Sequence, residues 1–366
     1  MSSLRLLYRG DAPVDFPRLW RRALMLSAGL LALGLGSFAI RGLNLGLDFE
    51  GGTSYEIHSP GTSVAEAREV LGDLGVTDAR IQHVGDEVLR IRSDIDDPAR
   101  SIKLREDLSS RLGQIEAFEQ VGPTWGGDVT DKAVRALVVF FAIIALYLTI
   151  RLEWKMALGA LAAVAHDIVV SVGFYSLFQF EITPATVIAF LTIMGYSLYD
   201  TIVVYDKVRE VTGRLGATER YSYTELMNLA LNRVTMRSIN TSISSSLPVV
   251  SLLVVGWLIM GASALQEFGV ALLVGIIVGS YSSLFLASAL VATLKEREAR
   301  WLQVAEKLDR RGVGEGPTRT VARDEAAMSG TRSTERTDGV RGPARRRPPS
   351  VAPTGGIPPR PRKKRR

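Results

Sequence analysis

The sequence predicts a polytopic α-helical membrane protein with six transmembrane helices and an extracytoplasmic α+β domain inserted between the first and second. Three observations carry that expectation. Apolar residues make up 47% of the 366 positions, but they concentrate in windows near the roughly twenty residues that cross a bilayer. The stretch between the first two windows shows strand alternation and helix caps instead. Lys and Arg gather in the short segments on one side of the alternating spans, the side that basic loops favour.

The first window runs from about 20 to 40 and follows Arg5, Arg9, Arg18, Arg21 and Arg22. A secretory leader would also begin basic and turn apolar, but the Ala-x-Ala-like cleavage signal is missing. The later windows cover about 133–151, 156–178, 183–205, 244–260 and 265–294. The loop after the second reads Arg151-Leu-Glu-Trp-Lys155, and the loop after the fourth holds Lys207, Arg209, Arg214, Arg220, Arg233 and Arg237. With six alternating spans, these loops fall on the same side as residues 1–19 and the 296–366 tail, so both termini are expected in the cytoplasm. The opposite side receives Glu181 and Gly261 in short turns and the 41–132 segment, which has 18 acids and nine bases from residue 42 onward.

That long segment is too large for a connector and should fold. Thr53-Ser-Tyr-Glu-Ile-His58 alternates as a strand does. Ser63-Val-Ala-Glu66 is a capping box that opens a helix to about Leu74. Ala79 to Val84 and Glu87 to Arg92 alternate again and meet through Gly85-Asp86, a hairpin signal. Asp97-Pro98 starts a second helix to about Leu112, and Ile115 to Val121 forms a last strand. The order β-α-β-β-α-β is that of ferredoxin-like folds. Asp94, Asp96 and Asp97 are read as solvated surface, and no catalytic cluster appears in this domain.

The chain has no cysteine and three histidines, His58, His83 and His166, without metal-ligand spacing. Disulfides, thiolate metal sites and cysteine catalysis are excluded. Phosphate-binding glycine loops, His-Glu-x-x-His and Gly-x-Ser-x-Gly are absent. No enzyme activity and no cofactor are expected, and any energy used must come from elsewhere than nucleotide bound by this chain.

The chemistry concentrates inside the spans. Asp200 lies within the apolar run that begins near Thr183, where an ionised carboxylate costs about 3 kcal/mol or more and usually faces a partner or a polar path. Tyr196 stands four residues earlier on the same helix face. Asp206 falls at the boundary, as a cap or rim charge. Arg237, ahead of the fifth window, shares the predicted depth of Asp200. A carboxylate moving between a dry setting and a nearby arginine could take and release protons; a static ion pair is the alternative. In the third window, Asp167 lies on a Gly159, Ala163, Asp167, Ser171 stripe that admits a close neighbouring helix. It suits either an interhelical hydrogen bond or proton handling, and His166 beside it is read as structural. Ala271, Gly275, Gly279, Ser283 and Ala287 repeat the small-residue spacing in the sixth window, with Gly275 and Gly279 as packing positions. From about Val313 the tail is rich in Gly, Pro and Arg and should be disordered. Its bases would suit anionic membrane lipid or ribosomal RNA phosphate.

Taken together, these residues resemble the SecF family, the smaller membrane subunits of the bacterial SecD–SecF secretion accessory complex. Gly46-Leu-Asp-Phe-Glu-Gly-Gly52 looks like the motif that opens the outer domain in that family, and Val121-Gly-Pro123 like the one that closes it. Ala165-His-Asp167, Gly195 to Glu210, Met236 to Ser242 and Gly279-Ser-Tyr-Ser-Ser283 follow in family order, so the resemblance covers about residues 20–295. It implies a fold like the resistance-nodulation-division transporters, with SecD supplying six matching spans. It also implies work in the bacterial cytoplasmic membrane beside SecYEG. There the pair would draw unfolded exported polypeptides outward with the proton motive force after the SecA ATPase has pushed them. The family's proton-coupling aspartate and arginine map onto Asp200 and Arg237. Tyr199 stands where the family usually has Asn, Ser238 where it usually has Thr, and Ser244, Ser245 and Ser246 replace a Thr-rich stretch.

Two other functions compete. An exporter of small molecules or lipids within the same superfamily would normally carry both six-span halves on one chain, whereas one half is present here. A membrane scaffold without transport would keep the same helix packing.

Overall fold

Buried polar backbone must pair internally in hydrocarbon, so the apolar windows fold as helices. The protein is described by a computed structural model covering residues 14–84, 87–259 and 263–310. The expected Gly85-Asp86 hairpin, the residues before Val14 and the tail expected from about 313 lie outside the described residues. Among the described residues, six helices are long and apolar enough to cross a membrane. They are α1 (Phe16–Arg41), α5 (Pro123–Arg151), α6 (Trp154–Phe178), α7 (Pro184–Leu215), α8 (Tyr223–Leu252) and α9 (Ser263–Tyr281). The last continues through a π-helical stretch, Ser282–Ala287, into α10 (Ser288–Glu296).

Two helices begin well before the apolar windows suggest. Pro123 is suited to a first helical turn, so α5 starts there, and its polar opening turns pack beneath the α+β domain. Ser222 and Glu225 form a capping box that starts α8 at Tyr223, far ahead of the expected window at 244. Hydropathy misses both starts because the added turns are amphipathic. A further helix, α11 (Ala299–Arg310), follows the sixth span. Its Trp301 and Val304 are buried, and Trp301 meets the Tyr223 ring edge-on at 5.2 Å between centroids.

The α+β domain contains β1 (Asn44–Leu45), a short α2 (Leu47–Glu50), β2 (Gly52–His58), α3 (Val64–Asp73), β3 (Arg80–Val84), β4 (Val88–Ser93), α4 (Pro98–Arg111) and β5 (Gln114–Val121). The four longer strands form one antiparallel sheet in the order β3-β4-β2-β5, the ferredoxin-like arrangement. Alternation assigns the two faces. Tyr55, Ile57, Leu89 and Ile91 point to the face covered by α3 and α4, with Ala67, Leu71, Leu104 and Leu108 completing the core. The Tyr55 hydroxyl donates to the Ser101 carbonyl at 3.0 Å, and burial pushes its pKa up to about 12. The opposite face carries Ser54, Glu56, Arg90 and Arg92 and looks toward the membrane helices.

One pairing was not anticipated. β1 lies parallel to β6 (Glu181–Ile182), the supposed turn between α6 and α7, with Asn44 opposite Glu181 and Leu45 opposite Ile182. Gly46 makes this approach possible, because a Cβ there would stand 2.9 Å from the Ile182 carbonyl oxygen.

In the bundle, α6 crosses α1 where two glycines meet: a Cβ on Gly173 would lie 2.4 Å from the Gly34 Cα. By contrast α5 is peripheral, with 6% of its apolar window buried against 56% for α6. Gly173→Val should therefore destabilise the bundle by about 1–3 kcal/mol, the usual cost of overpacking. Gly29→Val, where a Cβ meets nothing within 4 Å, should leave it unchanged. Thermal unfolding of the purified protein in mild detergent checks both.

Candidate functional site

The site is built where α7 passes between α6, α8 and α9. Thr183 caps α7, with Thr186 closing the box and Pro184 in the first turn. From Pro184 to Asp200 the helix rises roughly 24 Å at about 1.5 Å per residue, which puts the carboxylate deep in the span. Gly275 and Gly279 face α7 directly: a Cβ on Gly275 would stand 2.3 Å from Ile193 Cδ1, and one on Gly279 2.9 Å from Ser197 Cβ. The two helices therefore touch through bare backbone, and polar side chains on either flank are brought within hydrogen-bond reach.

Two carboxylates result, in different settings. Asp167 is fully buried. Ser197 Oγ donates to its Oδ2 at 2.6 Å and Ser282 Oγ to the same atom at 2.8 Å, while His166 Nδ1 lies 3.1 Å from Oδ1. Ser283 extends the cluster by donating to the Ser197 carbonyl at 3.1 Å and standing 2.9 Å from Thr201 Oγ1. Ser282 and Ser283 open the π-helical stretch, whose wider turn moves side chains off the ordinary helical register. His166 Nε2 is buried without a partner.

Asp200 is less enclosed. It accepts a hydrogen bond from Ser238 Oγ on α8. The preceding residue explains the nearby arginine: Arg237 Nη2 donates to the Tyr199 hydroxyl at 3.2 Å. Arginine and aspartate share one neighbourhood without an ion pair within 4.0 Å. Beside Asp200 is a cavity of about 30 Å³ lined by Tyr196, Thr241, Ser242, Gly275, Gly279 and Ser280 among others. That is room for about two waters. Ser242 and Ser280 meet across it at 2.5 Å.

Of the residues singled out from sequence, Asp200, Tyr196, Gly275 and Gly279 line this cavity, and Arg237 connects to it through the Tyr199 hydroxyl. His166 and Asp167 form the adjacent network through Ser197. Asp206 is apart from both, half exposed and 3.9 Å from Arg151 at the far end of α7. The sequence reading missed the hydroxyl partners Ser197, Thr201, Ser238, Ser280 and Ser282. Only Ser197, three before Asp200, and Ser282, three after Gly279, carried a helical-spacing signal, and serine also packs helices without any such role.

The chain matches the family described as protein export membrane protein SecD/SecF, C-terminal, over residues 103–297, and the SecD/SecF GG motif over 36–59. The chain belongs to the SecD/SecF family. It is 37% identical to the protein translocase subunit SecF of Streptomyces coelicolor over 348 residues, covering 92% of each chain. It is 40% identical to that of Mycobacterium tuberculosis H37Rv over 310 residues, covering 81% of this chain and 70% of the relative. Among solved structures it resembles crystalline SecDF, a translocon-associated membrane protein from Thermus thermophilus, with TM-score 0.72 and 33% identity. That match covers 80% of this chain and 41% of the SecDF chain. The fold gives the SecD/SecF glycine pair a physical reason. Gly51 has φ +79°. Gly52 has φ +106°, and a Cβ on it would stand 2.5 Å from the Ser93 carbonyl oxygen.

Removing both hydroxyl donors with Ser197→Ala and Ser282→Ala should cost about 1–3 kcal/mol, because a buried carboxylate is left short of partners. Asp167→Asn in the wild-type background should cost less. Unfolding in mild detergent, followed by tryptophan fluorescence, separates the two.

Proposed function

We propose that this chain is the SecF-type subunit of a bacterial protein-export apparatus, working as a heteromer with SecD in the cytoplasmic membrane with both termini inside. The pair draws polypeptides outward beside SecYEG, after SecA has pushed them, at the expense of the proton motive force. Membership of the SecD/SecF family supports the export role, and the fused SecDF relative, of which this chain spans one part, supports SecD as the partner.

The observation that carries the proton coupling is the contrast between the two carboxylates. Asp167 has its oxygens occupied by fixed donors and is suited to structure. Asp200 has a single hydroxyl donor, a cavity of water size and an arginine engaged elsewhere. Protonation would give Asp200 a donor hydrogen beside its remaining acceptor capacity, and Arg237 would lose a nearby negative charge. Moving one charge through the membrane field supplies about 2.3 kcal/mol per 100 mV, enough to bias two arrangements of α7 against α8.

Asp200→Asn should assemble normally with SecD and lose proton-dependent export at least tenfold, by analogy with loss of a required acid–base group. Reconstituted vesicles with and without an imposed proton gradient give the readout. Export that keeps its gradient dependence in this variant would sink the coupling role.

A further inference from the structure

We infer that Arg90 is the tie that passes movement of α7 and α9 to the α+β domain, a positioning role that rests on the proton-coupled reading above. Arg90 stands on the sheet face turned away from α3 and α4, opposite Glu56 in the β2–β4 register. Its Nε and Nη2 both donate to Glu56 Oε1, at 2.9 and 2.8 Å. The remaining nitrogen, Nη1, lies 3.6 Å from Glu181 Oε2 and 3.6 Å from Glu267 Oε1. Glu181 belongs to β6, immediately before α7, and Glu267 to the opening turns of α9. One guanidinium thus joins the sheet to the strand that leads into α7 and to the start of α9, two of the elements around Asp200.

The neighbourhood requires that cation. The Glu181 and Glu267 side chains are only 10% and 13% exposed, and with Arg90 between them they line a polar cavity of about 500 Å³. Burial alone would weaken the charge on Arg90; the carboxylates of Glu56, Glu181 and Glu267 outweigh it and hold the guanidinium firmly protonated. Removing one partner of such a cluster leaves uncompensated charge, which is far more costly than the net worth of the cluster. Arg92 reinforces the joint, with Nη1 3.2 Å from Glu181 Oε1 and Nη2 donating to the Leu45 carbonyl at 2.7 Å. The β1–β6 ladder runs through the same spot. A shift of α7 relative to α9 would therefore change the Arg90 contacts with Glu181 and Glu267 and pull on the sheet through Glu56.

The absence of cysteine makes the tie testable by cross-linking and labelling in the full SecD-containing complex. Spin labels at Glu69→Cys and Phe178→Cys, both exposed positions, report the distance between the domain and the bundle. Arg90→Gln should broaden that distance distribution and lower gradient-driven export about fivefold, the scale of a lost coupling contact. Arg90→Lys, which keeps the charge but not the fork, should fall between. In a separate chain, the facing pair Leu45→Cys and Ile182→Cys, close enough for a disulfide, should restore export to Arg90→Gln when oxidised and lose the rescue when reduced. A distance distribution and export rate unchanged by Arg90→Gln would overturn the proposal, as would an oxidised pair that fails to rescue. Asp200→Asn, run in parallel, separates the two claims. Normal export in that variant refutes proton coupling, while the label distances still decide whether Arg90 ties the domain.

Discussion

The close contact of α9 with α7 at Gly275 and Gly279 is the constraint on which the rest of the membrane half depends. Lipid offers apolar side chains no reason to leave it, so helices in a bilayer associate through tight packing and polar contacts. Here the absence of two side chains brings the α9 backbone against Ile193 and Ser197. That contact lets Ser283, just beyond α9, reach Thr201 and the Ser197 carbonyl on α7, while Ser282 and Ser280 reach the other two neighbours, Asp167 on α6 and Ser242 on α8. A Cβ at either glycine would push the helices apart and open the hydrogen bonds together, which ties packing and chemistry to the same two positions.

That geometry also separates two carboxylates that composition treats alike. Both are aspartates in apolar spans, and both cost free energy to ionise there. Asp167 recovers the cost through two serines and a histidine nitrogen held on three different segments. Such a network is strong when complete and leaves little freedom. Asp200 faces Ser238 and a small cavity, with Arg237 held on Tyr199. The Tyr199 phenol, next to Asp200 in the chain, accepts one of the donors of that arginine.

Much of this was legible in the residues. Hydropathy located the six spans, alternation and caps gave the β-α-β-β-α-β order, and the carboxylate inside the fourth span pointed to Asp200. What escaped has identifiable causes. Periodicity cannot find β1 and β6, because a two-residue strand has no period; their pairing rests on Gly46 allowing a close approach from far along the chain. The early starts of α5 and α8 were hidden because their first turns are polar; α8 opens on the Ser222–Glu225 capping box and α5 on Pro123 in its first turn. Arg90 and Arg92 read as solvent-facing members of an alternating strand, and only the tertiary fold brings Glu181 and Glu267 beneath them. The hydroxyl partners were ambiguous for a different reason: the same serine serves packing and hydrogen bonding.

The two ends of the bundle differ in stiffness, and the difference bears on where movement can occur. Away from the α+β domain, Tyr205, Val208, Val211, Leu215, Leu226 and Trp301 belong to a continuous buried cluster. Lys155 and Lys295 add ion pairs to Glu298 at 3.1 and 3.0 Å. A close-packed interior of this kind resists gradual deformation. Around Asp200 the contacts are glycines, hydroxyls and a cavity, which can exchange partners without creating large voids. Small shifts between helices of about 1–2 Å are typical of switching proteins. If α7 is held at its far end and freed around Asp200, its displacement must be expressed at the other terminus, where Thr183 and Pro184 follow directly on Glu181. The charge cluster under the sheet lies at that point, so in the proposed cycle α7 would carry a displacement from Asp200 to the Glu181–Arg90 contact, where the α+β domain meets the bundle.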